Sequence, residues 1–224
     1  VMMGAGGVLA GAHPGLVCVD MSTVSPDASA RVAAACEAAQ VAFLRAPVSG
    51  GPSLAAVGQL GALVSGPPET RDRLQGLLNT LAQNVFYLGE REEARVMKLA
   101  LNMMIGTTVV GLGEALVLGE SWGLDWQRML DVFTESAVAS PFLKYKAPLL
   151  SRREFPPAFS TGLLAKDLRL AVDLARQSGS HVAVTDRALE VVEQAIGGGL
   201  GEADAVSVVL LLEQLAGSRK GVRP

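Results

Sequence analysis

An α/β layer followed by an all-helical domain is the fold class that the sequence predicts, and three observations predict it. Short continuous apolar runs alternate with helical patterns through residues 1–92, the texture of strands covered by helices. From about Glu92 onward the pattern turns wholly helical. Of the 224 residues, 50% are apolar and only 18% charged, enough to fill a sizeable core and far from the composition of a disordered chain. A division into domains 1–92 and 93–224 follows, at a length that suits two small domains.

The first strand is Leu16-Val17-Cys18-Val19, an unbroken apolar run of the kind found in parallel strands buried on both faces. It stops at Asp20 and the polar segment Ser22 to Pro26. Ser25 suits a helix cap, Pro26 the first helical position and Asp27 the positive end of the dipole. Val41-Ala42-Phe43-Leu44 forms the next strand, stopped by Pro47 and the loop Ser49-Gly50-Gly51-Pro52. Leu60 to Val64 is another, Pro67-Pro68-Glu69 opens a helix to about Leu81, and Val85 to Leu88 closes the series at Gly89. Beyond it, one helix runs to Trp122 and others cover 125–136, 162–177, 184–196 and 203–216, separated by Gly or Pro.

Charge and cysteine content narrow the function. Nineteen Lys and Arg against 22 Asp and Glu give a formal net charge of -3, which argues against a nucleic-acid protein with its basic face. Two cysteines, Cys18 and Cys36, make no disulfide framework and show no CxxC spacing, so a reducing, cytoplasmic setting is expected. The uncharged stretch from Leu99 to Gly113 is shorter than the ~20 residues of a membrane span and reads as a buried helix. No basic region opens the N-terminus, and no signal peptide is expected.

Four segments carry candidate chemistry. Lys98 lies in a strongly apolar helix with Asn102 four residues on, so both project from one face. Desolvation there lowers a lysine pKa toward neutrality and suits it to proton transfer; the other reading is a lysine whose stem packs while its ammonium reaches water. Ser49-Gly50-Gly51 follows a strand at its carboxyl end, where open α/β sheets bind ligands, and its N–H groups and hydroxyl suit a carboxylate. An ordinary Gly-Gly turn is the alternative. Ser22-Thr23 follows the first strand in the same way and suits a cofactor ribose or amide, or only the cap of the next helix. Lys166-Asp167 opens a later helix and, taken alone, reads as a solvated ion pair.

Other features point away from familiar sites. Gly4-Ala5-Gly6-Gly7 has no preceding strand, and Leu9 stands where a dinucleotide loop needs its third glycine. Gly197 to Gly201 joins two helices as a connector. His13 and His181 have no ligand-spaced partners, so no metal site is expected. Gly-x-Ser-x-Gly and Walker patterns are absent.

Taken in order, these segments resemble the β-hydroxyacid dehydrogenase family, whose members include 3-hydroxyisobutyrate, tartronate-semialdehyde and succinic-semialdehyde (glyoxylate) reductases. Val19 to Pro26 resembles its cofactor segment, with Thr23 at the contacting position. Ala46-Pro47-Val48-Ser49-Gly50-Gly51 resembles its substrate motif, Lys98 with Asn102 its catalytic Lys-x-x-x-Asn, and Ala165-Lys166-Asp167-Leu168 its later Lys-Asp-Leu motif.

The resemblance implies a partial Rossmann-type nucleotide-binding domain followed by a helical substrate and dimerisation domain, with NAD or NADP as cofactor. It implies interconversion of a small β- or γ-hydroxyacid and its semialdehyde, with Lys98 as general acid and base. Asn102 would orient Lys98 or the substrate hydroxyl, Ser49, Gly50 and Gly51 would bind the substrate carboxylate, and Thr23, Lys166 and Asp167 would meet the cofactor. A homodimer or homotetramer is expected, with no nucleic-acid or membrane partner. Ser140-Pro141-Phe142, with Lys144 and Lys146 after it, leans toward the succinic-semialdehyde and glyoxylate reductases; the two lysines read either as a cationic cluster for an anionic substrate or as solvent-exposed side chains.

Three departures stand against the family pattern. Arg45 replaces the usual acid before Ala46, and Glu90-Arg91-Glu92-Glu93 replaces a glycine-rich loop. The opening Gly-x-Gly-x-x-Gly turn is absent, so the chain reads as N-terminally truncated, short of about two βαβ units of ~30 residues each. The alternative function is therefore a non-catalytic remnant or interaction module that dimerises through its helical domain, with Val206 to Leu212 either in that contact or in the core.

Overall fold

A computed structural model describes residues 1–217; the last seven positions of the expected second domain lie outside the described residues. The chain divides into two compact units, Val1–Leu101 and the part from Asn102 onward.

The first unit is built as the runs predict. After a short 3-10 turn at Val8–Gly11, β1 (Val17–Asp20) leads to α1 (Pro26–Ala38) and β2 (Ala42–Arg45). Ser25 caps α1 by accepting from the Ala28 N–H at 3.1 Å, with Pro26 in its first turn. The chain continues through β3 (Val48–Ser49), the single turn α2 (Pro52–Ala55), β4 (Leu60–Ser65), α3 (Pro68–Leu81) and β5 (Ala82–Gly89). Leu44, Ala46, Val64 and Leu78 form one apolar cluster beneath the sheet, and Cys18, Cys36, Val41 and Phe43 form another under α1.

The sheet is mixed. β1 pairs parallel to β2 and β4 parallel to β5, but β4 runs antiparallel to both β2 and β3. Apolar runs cannot report direction; β3 and the turn α2 reverse the chain after Pro47, so β4 returns against its predecessors.

A single helix, α4 (Glu93–Ser121), crosses the division between the units. By length and composition it is long and apolar enough to cross a membrane, more than the uncharged stretch from Leu99 suggests. Its Val109, Val110, Leu112, Leu116 and Val117 are buried in the core of the second unit.

Within that unit α5 (Trp126–Glu135) is capped by Asp125 and buries Trp126, Met129 and Leu130. Next come α6 (Pro141–Arg152), α7 (Thr161–Ser178) and α8 (Ala183–Ala195). The sequence pattern missed α6, because Pro148 in its interior reads as a breaker. Pro148 stands on the exposed side, while Leu143, Lys146 and Leu150 face the core and Ser140 caps the start. Gly197 to Gly201 is not a free connector: Ile196–Leu200 forms a π-helical turn continuing α8, and Gly201 accepts from the Gly162 N–H at 2.9 Å.

The expected helix over 203–216 is divided. Asp204 caps a 3-10 turn (Ala205–Ser207) that leads into α9 (Val208–Leu215). Val206, Val208 and Val209 are buried in the core, with Leu210, Leu211 and Leu212 packed against it. The apolar run therefore fills its own unit.

Candidate functional site

In the first unit, the carboxyl ends of β1 and β2 lead into the two loops that the sequence singles out. Thr23 lies half-buried in the loop from β1 to α1, beside an exposed Ser22. Ser49 ends β3, and Gly50 and Gly51 link it to α2. Gly50 has φ +123°, backbone open to glycine alone, and a Cβ there would meet the Leu60 Cδ2 at 2.9 Å. Lys98 is half-buried on α4 in this same unit.

An ionic lattice that the sequence reading missed braces these segments. Arg95, 1% exposed, donates from Nη2 to the Asp20 Oδ2 at 2.7 Å and from Nε to the Ser29 Oγ at 3.1 Å. Its Nη1 donates to the Ser22 carbonyl. Burial raises the Asp20 carboxyl pKa, but the Ser22 hydrogen bonds and the Arg95 guanidinium outweigh it and hold the value below the usual carboxylate range. Burial lowers the Arg95 pKa against the opposing pull of Asp20 and Glu92. The sequence marks Arg95 weakly, as one more charged residue after the run Glu90-Arg91-Glu92-Glu93 and just before the apolar Val96 and Met97.

Arg45 and Glu92 form the second brace. The Arg45 guanidinium is buried, stacks over the Phe43 ring at 5.0 Å and donates from Nε to the Glu92 Oε1 at 2.8 Å. Two of the departures from the family pattern thus answer each other: a cation at the end of β2 meets an anion just before α4.

In the second unit the structure brings three of the predicted residues together. Asn102, 1% exposed, donates from Nδ2 to the Asp167 Oδ2 at 2.5 Å. Lys166, with a side chain 45% exposed, pairs with the other Asp167 oxygen at 2.8 Å. Lys166-Asp167 is therefore more than a solvated pair, since Asp167 is buried. Among the described residues the Asn102 Oδ1 has no hydrogen-bond partner, so a buried acceptor remains for a donor from outside the protein. Asn102 and Lys98 stand one turn apart on α4.

The expected cationic cluster at 144 and 146 does not form. Lys146 is buried and ion-paired with Asp204 at 2.6 Å, while the exposed Lys144 lies 3.4 Å from Glu135. Burial of the first lysine required a carboxylate partner, which left no pair of free ammonium groups at this place. Among the described residues no group of three or more His, Cys, Asp or Glu is placed to hold a metal ion.

Two family models match the chain. That for the NAD binding domain of 6-phosphogluconate dehydrogenase covers residues 1–89, and that for NAD-binding of NADP-dependent 3-hydroxyisobutyrate dehydrogenase covers residues 93–212. Among curated relatives, the 2-(hydroxymethyl)glutarate dehydrogenase of Eubacterium barkeri is 30% identical over 218 residues, spanning 97% of this chain and 72% of the relative. The glyoxylate/succinic semialdehyde reductase 1 of Arabidopsis thaliana is 32% identical over 209 residues, 93% of this chain and 72% of the relative. Among solved structures, a Mycobacterium tuberculosis 3-hydroxyisobutyrate dehydrogenase with L-serine superposes with TM-score 0.82 at 29% identity, over 92% of this chain and 72% of that one.

Proposed function

This chain belongs to the β-hydroxyacid dehydrogenase family of NAD(P)-dependent oxidoreductases, and from that premise we propose that it interconverts a small carboxylate-bearing hydroxyacid and its semialdehyde, with Lys98 as general acid and base. The observation that carries the reading is a buried amide, Asn102, one helical turn after Lys98 on α4, whose Oδ1 has no hydrogen-bond partner among the described residues.

The residues suit a nicotinamide nucleotide. A half-buried threonine follows the carboxyl end of the parallel β1–β2 pair, and α4 carries a buried acceptor without a partner among the described residues. When bound, the nicotinamide supplies the hydride or takes it up. Thr23, Lys166 and Asp167 serve on the cofactor side. The Ser49 hydroxyl and the Gly50 and Gly51 N–H groups hold the substrate carboxylate.

Lys98 gives a proton from Nζ to the carbonyl oxygen as charge develops there, and recovers it from the hydroxyl in the oxidative direction. Asn102 orients the substrate hydroxyl through Oδ1, because Asp167 holds its Nδ2.

Assembly as a homodimer or homotetramer through the helical unit belongs to the same reading. It is supported by an apolar groove of about 650 Å³ bordered by Leu118, Trp122, Leu124 and Val132, with Trp122 83% exposed. The free thiols of Cys18 and Cys36 support a reducing, cytoplasmic setting.

The test is a fluorescence titration of the chain with NADPH and NADH, then addition of succinic semialdehyde. Nucleotide binding followed by oxidation is expected, and Lys98→Ala should lower turnover by about 10²–10⁴-fold while nucleotide still binds. Turnover at the unsubstituted rate in Lys98→Ala would overturn the role given to the lysine.

A further inference from the structure

We propose that Arg95 is a positioning residue for nucleotide binding, clamping the Ser22–Thr23 loop in one conformation from the helix that carries Lys98. This inference rests on the function proposed above and adds a residue to it that the family motifs do not contain.

The three arms of the guanidinium reach three places along one short stretch of chain. Nη2 meets Asp20 at the end of β1, Nη1 meets the Ser22 carbonyl within the loop, and Nε meets Ser29 in the first turns of α1. The Asp20 Oδ1 in turn accepts the Ser22 N–H at 2.9 Å. The Ser22 backbone is therefore held on both sides, its N–H by Asp20 and its carbonyl by Arg95.

A pinned peptide on both sides of Ser22 fixes the direction in which the chain presents Thr23. Ser22 itself is exposed and Thr23 half-buried, so this loop is open to a ligand while its anchor is not. The geometry asks for arginine. A planar fork reaches three acceptors in fixed directions, whereas an ammonium is a single point charge on a flexible stem. Arg95 also precedes Lys98 by less than one helical turn, so loop and lysine are referenced to one rigid segment.

The purely structural reading makes Arg95 only the partner of a buried carboxylate. Arg95→Lys separates the two, because it keeps the charge toward Asp20 and loses the fork. Amide hydrogen exchange over residues 21–25 is followed beside NADPH affinity by fluorescence and the thermal midpoint. Arg95→Lys should speed exchange in the loop and raise the NADPH dissociation constant, each by about tenfold, the effect of losing one or two hydrogen bonds to a charged group. If the lysine variant does not fold, Ser29→Ala removes one arm alone and should give a smaller change in the same two readouts.

A fall in thermal midpoint with unchanged loop exchange and unchanged NADPH affinity overturns the inference and leaves the proposed function standing. Failure of the unsubstituted chain to bind either nucleotide overturns the proposed function instead, and the role of the clamp in nucleotide binding falls with it.

Discussion

The amide of Asn102 on α4 donates to the carboxylate of Asp167 on α7 at 2.5 Å, with both side chains buried. The close approach of the two helices makes this possible. One turn after Asn102, a Cβ on Gly106 would stand 2.8 Å from the Leu168 Cδ2, so a larger residue at 106 would require the Leu168 side chain on α7 to shift. The hydrogen bond also settles which end of the amide is which: Nδ2 is committed, and the buried Oδ1 has no partner among the described residues.

Asp167→Ala should therefore do two things at once. It leaves the Asn102 Nδ2 buried without an acceptor, at a cost of about 1–3 kcal/mol in urea unfolding. It also frees the amide to rotate, so turnover should fall further than stability does. Asp167→Asn offers an acceptor of the same size and should keep most of the stability. Equal loss of both quantities in the two variants would separate Asp167 from Asn102.

Gly106→Ala tests the same relationship from the helix contact. Leu168 is fully buried, so overpacking against it should cost about 1–3 kcal/mol. Gly106→Ala combined with Leu168→Ala relieves the clash. A double-mutant cycle by urea unfolding should show a clear favourable coupling between the two substitutions.

The Arg45–Glu92 pair predicts a different asymmetry. Glu92→Ala strands a buried guanidinium and should destabilise the chain by about 3–5 kcal/mol, whereas Arg45→Met with Glu92→Leu removes both charges and should cost far less. Denaturant midpoints of the single and double variants check this. Equal loss in both would mean that packing rather than charge governs the site.

These braces show where a sequence stops being legible. Strand and helix positions in the first unit follow from local patterning: Ser25 and Pro26 start α1, and the runs around Val17 and Leu63 are the strands. Lys98 and Asn102 share a helix, so their spacing alone relates them. Arg45 and Glu92 lie 47 positions apart and Arg95 and Asp20 lie 75 apart, and no periodicity connects residues that meet only through tertiary packing. α6 was hidden by Pro148, a local signal overridden because the ring faces outward and the opposite side is buried. The lysines at 144 and 146 read alike in sequence; their one difference is that the second meets Asp204.

Two titrations give stability opposite slopes at the ends of the pH range. Asp20 has a folded pKa below the ordinary carboxylate value of 3.8. Its contribution is complete above that value and is lost as pH falls through the lower folded one, since protonation then favours the unfolded chain. Cys36 behaves in the reverse sense. Burial and the neighbouring Cys18 thiol push its pKa from 9.0 to about 11, so between these values the unfolded chain has released a proton that the folded chain retains, and stability falls as pH rises. Urea unfolding should thus show Asp20→Asn losing its difference from the unsubstituted chain toward pH 3, and Cys36→Ala shedding the alkaline decline above pH 9. Because the thiolate is the reactive form, Cys36 should also resist alkylation at pH 8 in the folded chain and react readily in urea. Fast alkylation of the native protein would contradict the burial on which the alkaline slope depends.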